Sequence, residues 1–169
     1  MTDWLYGRNA VREALQAHRR TFSRLRVAAG AHGSGGLDAL IAQAEALGVA
    51  VERVDRHTLE HVLPRDRRES SGQSSINHQG VLLAAGAYPY VDIDDCLEYA
   101  AERGEPPLVL VLDHLQDPQN VGTLLRTAET VGVHGVILPG RRAVGITPAV
   151  VNASSGAVEH LHIAQVTNL

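Results

Sequence analysis

Asn120, Gly122 and Arg126 stand at the spacing N-x-G-x-x-x-R within DPQNVGTLLRTAETVGV (117–133), just after the apolar run LVLVLDHL (108–115). Each residue type has a chemical use there. An Asn can cap or orient a helical turn, a Gly lets another backbone come close, and an Arg offers a permanent cation with a forked set of donors. Glu129, three residues beyond Arg126, is within pairing reach on a helix. Open α/β folds place their ligands where a strand ends and a helix begins. The same residues would equally make an ordinary βα-loop with a surface Arg, and spacing alone does not separate the two readings.

Other patterns carry less. HTLEH (57–61) matches H-x-x-E-H, a zinc-protease signature, and two His four apart do share a helix face. That helix is barely two turns long before Pro64, and no third ligand stands at a matching spacing, so a polar helix face is the expectation and no metal site is assigned. GSGG (33–36) has no Lys-Ser/Thr after it and does not follow a strand in the G-x-G-x-x-G pattern, which leaves a flexible turn. No Ser-His-Asp or Cys-His arrangement can be argued from spacing.

The elements that must position these residues alternate. GRNAVREALQAH (7–18) puts Ala10, Val11, Ala14 and Leu15 on one helical face. A strand at 22–29, a helix at 37–48 closed by Gly48, a strand at 49–54 and a short helix at 57–63 follow. RDRRESSGQSSINHQ (65–79) is polar and without periodicity, the pattern of an exposed loop. GVLLAAGAY (80–88) returns to strand. YVDIDDCLEYAAERGEPP contains a short acidic helix and a Pro-Pro break, and residues 89–107 are expected to link two domains. LVLVLDHL then reads as a strand buried on both faces of a parallel sheet. A helix near 119–131, the strand GVILP (135–139), a helix at 147–154 and a strand within 158–166 complete an α/β pattern.

Composition narrows the partners. The net charge of −4 argues against indiscriminate binding of nucleic acid, yet residues 1–78 carry 11 Arg against 9 acids and residues 79–169 carry 4 Arg against 10. Every one of the 15 basic residues is Arg, whose planar fork suits phosphate. A single cysteine, Cys96, fits a reducing cytoplasm. The N-terminus has no signal-peptide pattern, and no apolar run approaches the roughly 20 residues that would cross a membrane.

DPQNVGTLLRTAETVGVHGVILP resembles motif 1 of the SpoU (TrmH) family of SPOUT-class RNA 2'-O-ribose methyltransferases, and NASSGAVEHLHIAQVTNL is similar to the segment that follows it. WLYGRNAVREAL and INHQGVLLAAGAY resemble the start and end of the L30e-like RNA-binding domain in the family's two-domain, RlmB-type members. The resemblance implies an L30e-like α/β domain over 1–88 followed by the first half of a SPOUT methyltransferase domain over 108–169. It implies S-adenosyl-L-methionine as cofactor and RNA as partner, with guanosine in 23S rRNA the nearest role, and a homodimer for a full-length enzyme. Catalytic residues carry over to Arg126 and Asn120. Because Arg is almost always protonated, Arg126 is expected to hold RNA phosphate and stabilise developing alkoxide charge rather than remove a proton. The family continues with a Gly-Glu-Gly loop and a Ser-Leu-Asn segment that form a knot around the cofactor and supply the dimer interface. Residues 1–169 contain neither, so no cofactor-binding residue is assigned and the fragment by itself is expected to be inactive. The alternative is a non-catalytic RNA-binding module.

Arg65, Arg67 and Arg68 are the expected RNA contacts of the polar loop. Their joint change to Ala is expected to weaken RNA binding and flatten its salt dependence, each lost phosphate contact taking about 0.7–0.9 from the log–log slope. An affinity measured against salt concentration that keeps its slope would place the RNA contacts elsewhere.

Overall fold

The computed structural model describes residues 2–31, 36–63 and 76–169, so Arg65, Arg67 and Arg68 lie outside the described residues. The chain divides into two units, Met1–Ala87 and Tyr88–Leu169. Among the described residues no helix is long and apolar enough to cross a membrane.

The first unit is built on β1 (Asp3–Tyr6), α1 (Arg8–Ala17), β2 (Phe22–Ala28), α2 (Leu37–Ala46), β3 (Ala50–Val54), α3 (Arg56–Val62) and β4 (Val81–Ala85). Its sheet runs β1-β4-β2-β3, with β4 antiparallel to both neighbours and β2 parallel to β3. All five residues of β4, VLLAA, are buried, as a central strand with both faces covered requires. The stripe of Ala10, Val11, Ala14 and Leu15 on α1 is buried as its spacing predicts. Leu82 packs with Tyr6, Ala28, Leu59 and Leu63, so α3 is anchored to the sheet by Leu59. β1 was not evident in the sequence: its four residues show no clear alternation, and they become a strand through pairing with β4. Arg20, only 5% exposed, closes that edge by bonding Asp3 of β1 at 3.6 Å and the Gly86 carbonyl beyond β4 at 3.4 Å.

The second unit holds α4 (Ile93–Glu102), β5 (Val109–Val111), α5 (Pro118–Thr130), β6 (Gly135–Pro139), α6 (Pro148–Ala153), a 3-10 turn (Ala157–His160) and β7 (Ile163–Val166). The three strands are parallel in the order β5-β6-β7. Residues 89–107, expected as a linker, belong to this unit. The Tyr88 hydroxyl donates to the carbonyls of Val158 or Leu161, at 3.0 and 2.8 Å, and Val91 bridges to Ala164. Farther along, the His134 ring accepts from the Leu108 N–H at 3.0 Å and meets Glu105 at 3.0 Å, which clips the Pro-Pro segment down. α4 packs on β6 through buried Cys96, where Gly135 is obligatory: a Cβ there would lie 2.4 Å from the Cys96 Cβ. Burial, with the Asp95 carboxylate adding to it, pushes the Cys96 thiol above its ordinary pKa.

LVLVLDHL, read as the kind of strand that needs cover on both faces, supplies β5, the edge of the three-stranded sheet. β5 is three residues long and lies at the sheet edge, with Leu108 50% and Val111 53% exposed. The sequence of a strand shows its apolar content, whereas its place in the sheet depends on partners far along the chain. The segment 158–166 likewise begins with the 3-10 turn, and only Ile163–Val166 is strand.

His78 links fold to pH. It is buried, its Nδ1 accepts from the Gly80 N–H at 3.0 Å, and burial first, then the Arg56 guanidinium, lower its pKa against the opposing pull of Glu60. The neutral ring is therefore favoured in the folded state. Its contribution to stability is present above the ordinary imidazole value of 6.5 and is lost as the pH falls toward the lowered one. Thermal unfolding followed across this range should show a fall in midpoint on acidification, part of which disappears in His78→Asn.

Candidate active site

α5 begins on the residues that close the strand end. Asp117 is its N-cap, the carboxylate accepting from the Asn120 N–H at 2.9 Å, and Pro118 occupies the first turn, where its missing N–H costs nothing. The sequence suggested Asn120 itself as a cap. The structure gives that role to Asp117 and leaves the Asn120 side chain exposed, because Asn120 is already the third residue of the helix.

Val121, Gly122, Leu125 and Ala128 form the buried face of α5. A Cβ on Gly122 would lie 2.4 Å from the Ala153 Cβ and 2.8 Å from the Ser154 nitrogen, so only glycine lets α5 reach the end of α6. α6 is itself capped by Thr147, whose hydroxyl accepts from the Val150 N–H at 3.4 Å, with Pro148 in its first turn. Ser154 is fully buried; its hydroxyl donates to the Val151 carbonyl at 2.9 Å and accepts from the Val158 N–H at 3.4 Å, tying α6 to the 3-10 turn. Both helices are thus locked where they touch.

The opposite face of α5 is polar. The hydroxyls of Thr123, Thr127 and Thr130 donate back to the carbonyls four residues earlier, at 2.9, 3.2 and 2.9 Å. Arg126 is exposed, and among the described residues its guanidinium and the Asn120 amide form no hydrogen bond or ion pair. The expected pairing of Arg126 with Glu129 is not formed. Within the motif Gly122 is buried while Asn120 and Arg126 are exposed, the latter two about 9 Å apart along the axis and about 120° apart around it.

A cleft of about 420 Å³ opens at the carboxyl ends of the parallel strands. Asp113 and His114 follow β5, Arg141 and Arg142 follow β6, and Thr167 follows β7. The His114 ring contacts the Asp113 carboxylate. His114 and Arg142 have φ of 52° and 58°, left-handed conformations that side chains other than glycine rarely adopt and that concentrate at functional sites. The two loops are stitched together by the Val144 N–H donating to the Leu115 carbonyl at 2.8 Å. Pro139, Asn168 and Leu169 complete the lining, and the Arg141 and Arg142 guanidinium groups offer forked donors to an anion such as phosphate. Neither Arg126 nor Asn120 lines this cleft. Sequence reasoning missed its residues; the available signal was Gly140-Arg141-Arg142 directly after a buried strand.

The H-x-x-E-H segment lies on α3. His57 and His61 face each other with their Nε2 atoms 3.1 Å apart, while Glu60 pairs with Arg56 at 3.4 Å. Among the described residues no group of three or more His, Cys, Asp or Glu is placed to hold a metal ion.

The chain thus carries a mixed α/β unit followed by a parallel α/β unit whose strand ends open on a cleft lined in part by Arg141 and Arg142. Residues 4–91 match the model of the RNA 2'-O ribose methyltransferase substrate-binding domain, and residues 107–169 match that of the SpoU rRNA methylase family. The chain belongs to the SpoU family of RNA methyltransferases. It is 40% identical over 167 residues to YacO of Bacillus subtilis, assigned to the TrmH family of tRNA/rRNA methyltransferases, spanning 99% of this chain and 62% of that protein. It is 32% identical to slr0955 of Synechocystis, described as an uncharacterized tRNA/rRNA methyltransferase, spanning 99% of this chain and 41% of that one. The fold is shared with an rRNA methyltransferase from Sinorhizobium meliloti (TM-score 0.67, 22% identity, 98% of this chain and 54% of that one). It is also shared with the SpoU methyltransferase AviRb from Streptomyces viridochromogenes in complex with AdoMet (TM-score 0.64, 21% identity, 99% and 56%). The chain thus spans about 41–62% of the length of these proteins.

Gly122→Ala is expected to destabilise the second unit by about 1–3 kcal/mol, because the nearest atoms include backbone that cannot swing aside. Hydrogen exchange should report faster exchange of α5 and α6 amides, with those of the first unit unchanged. Protection equal to the parent in α5 would show that the helix contact is looser than described.

Proposed function

We propose that the protein carrying this chain is an S-adenosylmethionine-dependent RNA 2'-O-ribose methyltransferase of RlmB type, acting on guanosine in 23S rRNA as a cytoplasmic homodimer. The observation that carries the reading is Arg126, held on the solvent face of a helix that Gly122 locks in place just beyond a parallel strand. Membership of the SpoU family and the AdoMet in a structural neighbour support the reaction class.

A ribose 2'-hydroxyl is a weak nucleophile until its proton leaves, and the developing alkoxide is negative. Arg126 supplies a fixed positive charge for that oxygen as its charge develops, with Asn120 about one and two-thirds turns earlier orienting the RNA. The strand-end cleft adds Arg141 and Arg142 as anchors for the flanking phosphates. Bound S-adenosylmethionine would supply the methyl group. No residue of the described chain is assigned to the cofactor.

In a protein of the relatives' full length, Arg126→Ala should lower kcat by about 100-fold or more and leave the Kd for RNA nearly unchanged, because charge stabilisation confined to the transition state appears in the rate. Single-turnover methylation beside RNA-binding isotherms separates these quantities. Loss of RNA affinity with an intact maximal rate would make Arg126 a docking contact.

A further inference from the structure

The first unit contains a pocket that the proposed chemistry leaves unused. It has a volume of about 430 Å³ and lies between the end of β2, the start of α3 and the turn over residues 76–80. Its floor is apolar and close: a Cβ on Gly80 would lie 3.5 Å from the methyls of both Ala28 and Ala31. Its wall is polar, formed by Arg56, Asn77 and His78.

His78 is the informative group. It is only 4% exposed, and its Nδ1 is occupied by the Gly80 N–H at 3.0 Å. In the neutral ring the proton therefore sits on Nε2, which makes a donor of that atom. No hydrogen bond to Nε2 is formed among the described residues. Every enclosed side-chain nitrogen and oxygen among them is bonded, so Nε2 must reach open space, and the space that His78 borders is the pocket. Asn77 uses its Oδ1 to accept from the Gln79 N–H at 3.3 Å, which leaves its amide hydrogens as donors. Arg56 is held through Nε to Glu60 at 3.4 Å, with its side chain 80% exposed. The wall thus offers donors of three kinds over an apolar floor.

Such a surface fits a flat ring with acceptors along one edge, joined to an anion. Guanine presents N7 and O6 as adjacent acceptors, whereas adenine pairs its N7 with an amino donor that would oppose the wall. We propose that this pocket takes one unpaired guanine nucleotide of the RNA substrate, its acceptor edge on the His78 Nε2–H and its phosphate on Arg56. Stacking on the small apolar floor accommodates the base, and unpaired RNA makes its edges available. The inference rests on the RNA-directed function above and names a contact within it.

The test uses the 169-residue chain with two kinds of probe. Titration with GMP and with AMP, followed by the imidazole NMR signals, should move His78 at lower concentration for GMP. Binding of a G-containing single-stranded oligoribonucleotide, followed by anisotropy, should weaken about tenfold in His78→Asn with an unchanged salt slope, as for one lost hydrogen bond. That variant keeps an amide oxygen near the place of Nδ1 for the Gly80 N–H and removes only the Nε2 donor. Arg56→Gln should weaken binding and lower the salt slope by about 0.7. Should His78→Asn fail to fold, the nucleotide titration of the parent chain decides alone. If GMP leaves His78 unmoved and His78→Asn binds the oligonucleotide like the parent, the pocket is overturned while RNA binding stands. If GMP moves His78 but no oligoribonucleotide binds, the RNA source is overturned, and with it the function on which the inference rests.

Discussion

The second unit depends on one close approach, that of the α5 backbone at Gly122 to Ala153 and Ser154. Helices normally pack 8–10 Å apart at their axes because side chains stand between them. Here one side has no side chain and the other has a small one. Ser154, buried and bonded on both sides, cannot be displaced without breaking its hydrogen bonds to Val151 and Val158. The position of Asn120 and Arg126 relative to the strand ends follows from that contact. A functional face on α5 is therefore precise because its hidden face is crowded.

The two units use their charged groups differently. In the first, cations are tied to the sheet: Arg24 and Arg26 share Glu52 on β3, at 3.2 and 3.0 Å, and Arg26 also lies over the Trp4 ring at 5.0 Å. Exposed pairs of this kind add little stability, but they hold guanidinium groups at defined places along a sheet face. In the second, Arg126 stands without such a partner among the described residues, so its charge is not already spent on a neighbouring carboxylate.

What was legible in the sequence was local. The stripe on α1, the central apolar strand β4 and the inward Gly of N-x-G-x-x-x-R all follow from periodicity or from the chemistry of a single residue. What was not legible depended on residues far apart. DWLY becomes β1 by pairing with β4, some 80 residues away. Residues 89–107 join the second unit because Glu105 meets His134 and Val91 meets Ala164. The strand-end cleft exists because parallel order brings the ends of β5, β6 and β7 together, which no window of sequence contains. The cap of α5 was within reach, since Asp-Pro is a stronger helix start than the Asn that follows, but the chemistry of Asn120 drew attention first. Arg65, Arg67 and Arg68 lie outside the described residues and stay with the sequence reading.

Cys96 is the chain's one thiol, and it is buried under Gly135 with its pKa raised. Reagents that alkylate sulfur need both access and a thiolate, and the native packing withholds both. Modification must then wait for α4 to lift from β6. The chain consequently carries its own clock for local opening: the rate at which a small electrophile labels it measures how often the second unit breathes, with no introduced probe and no contribution from the first unit.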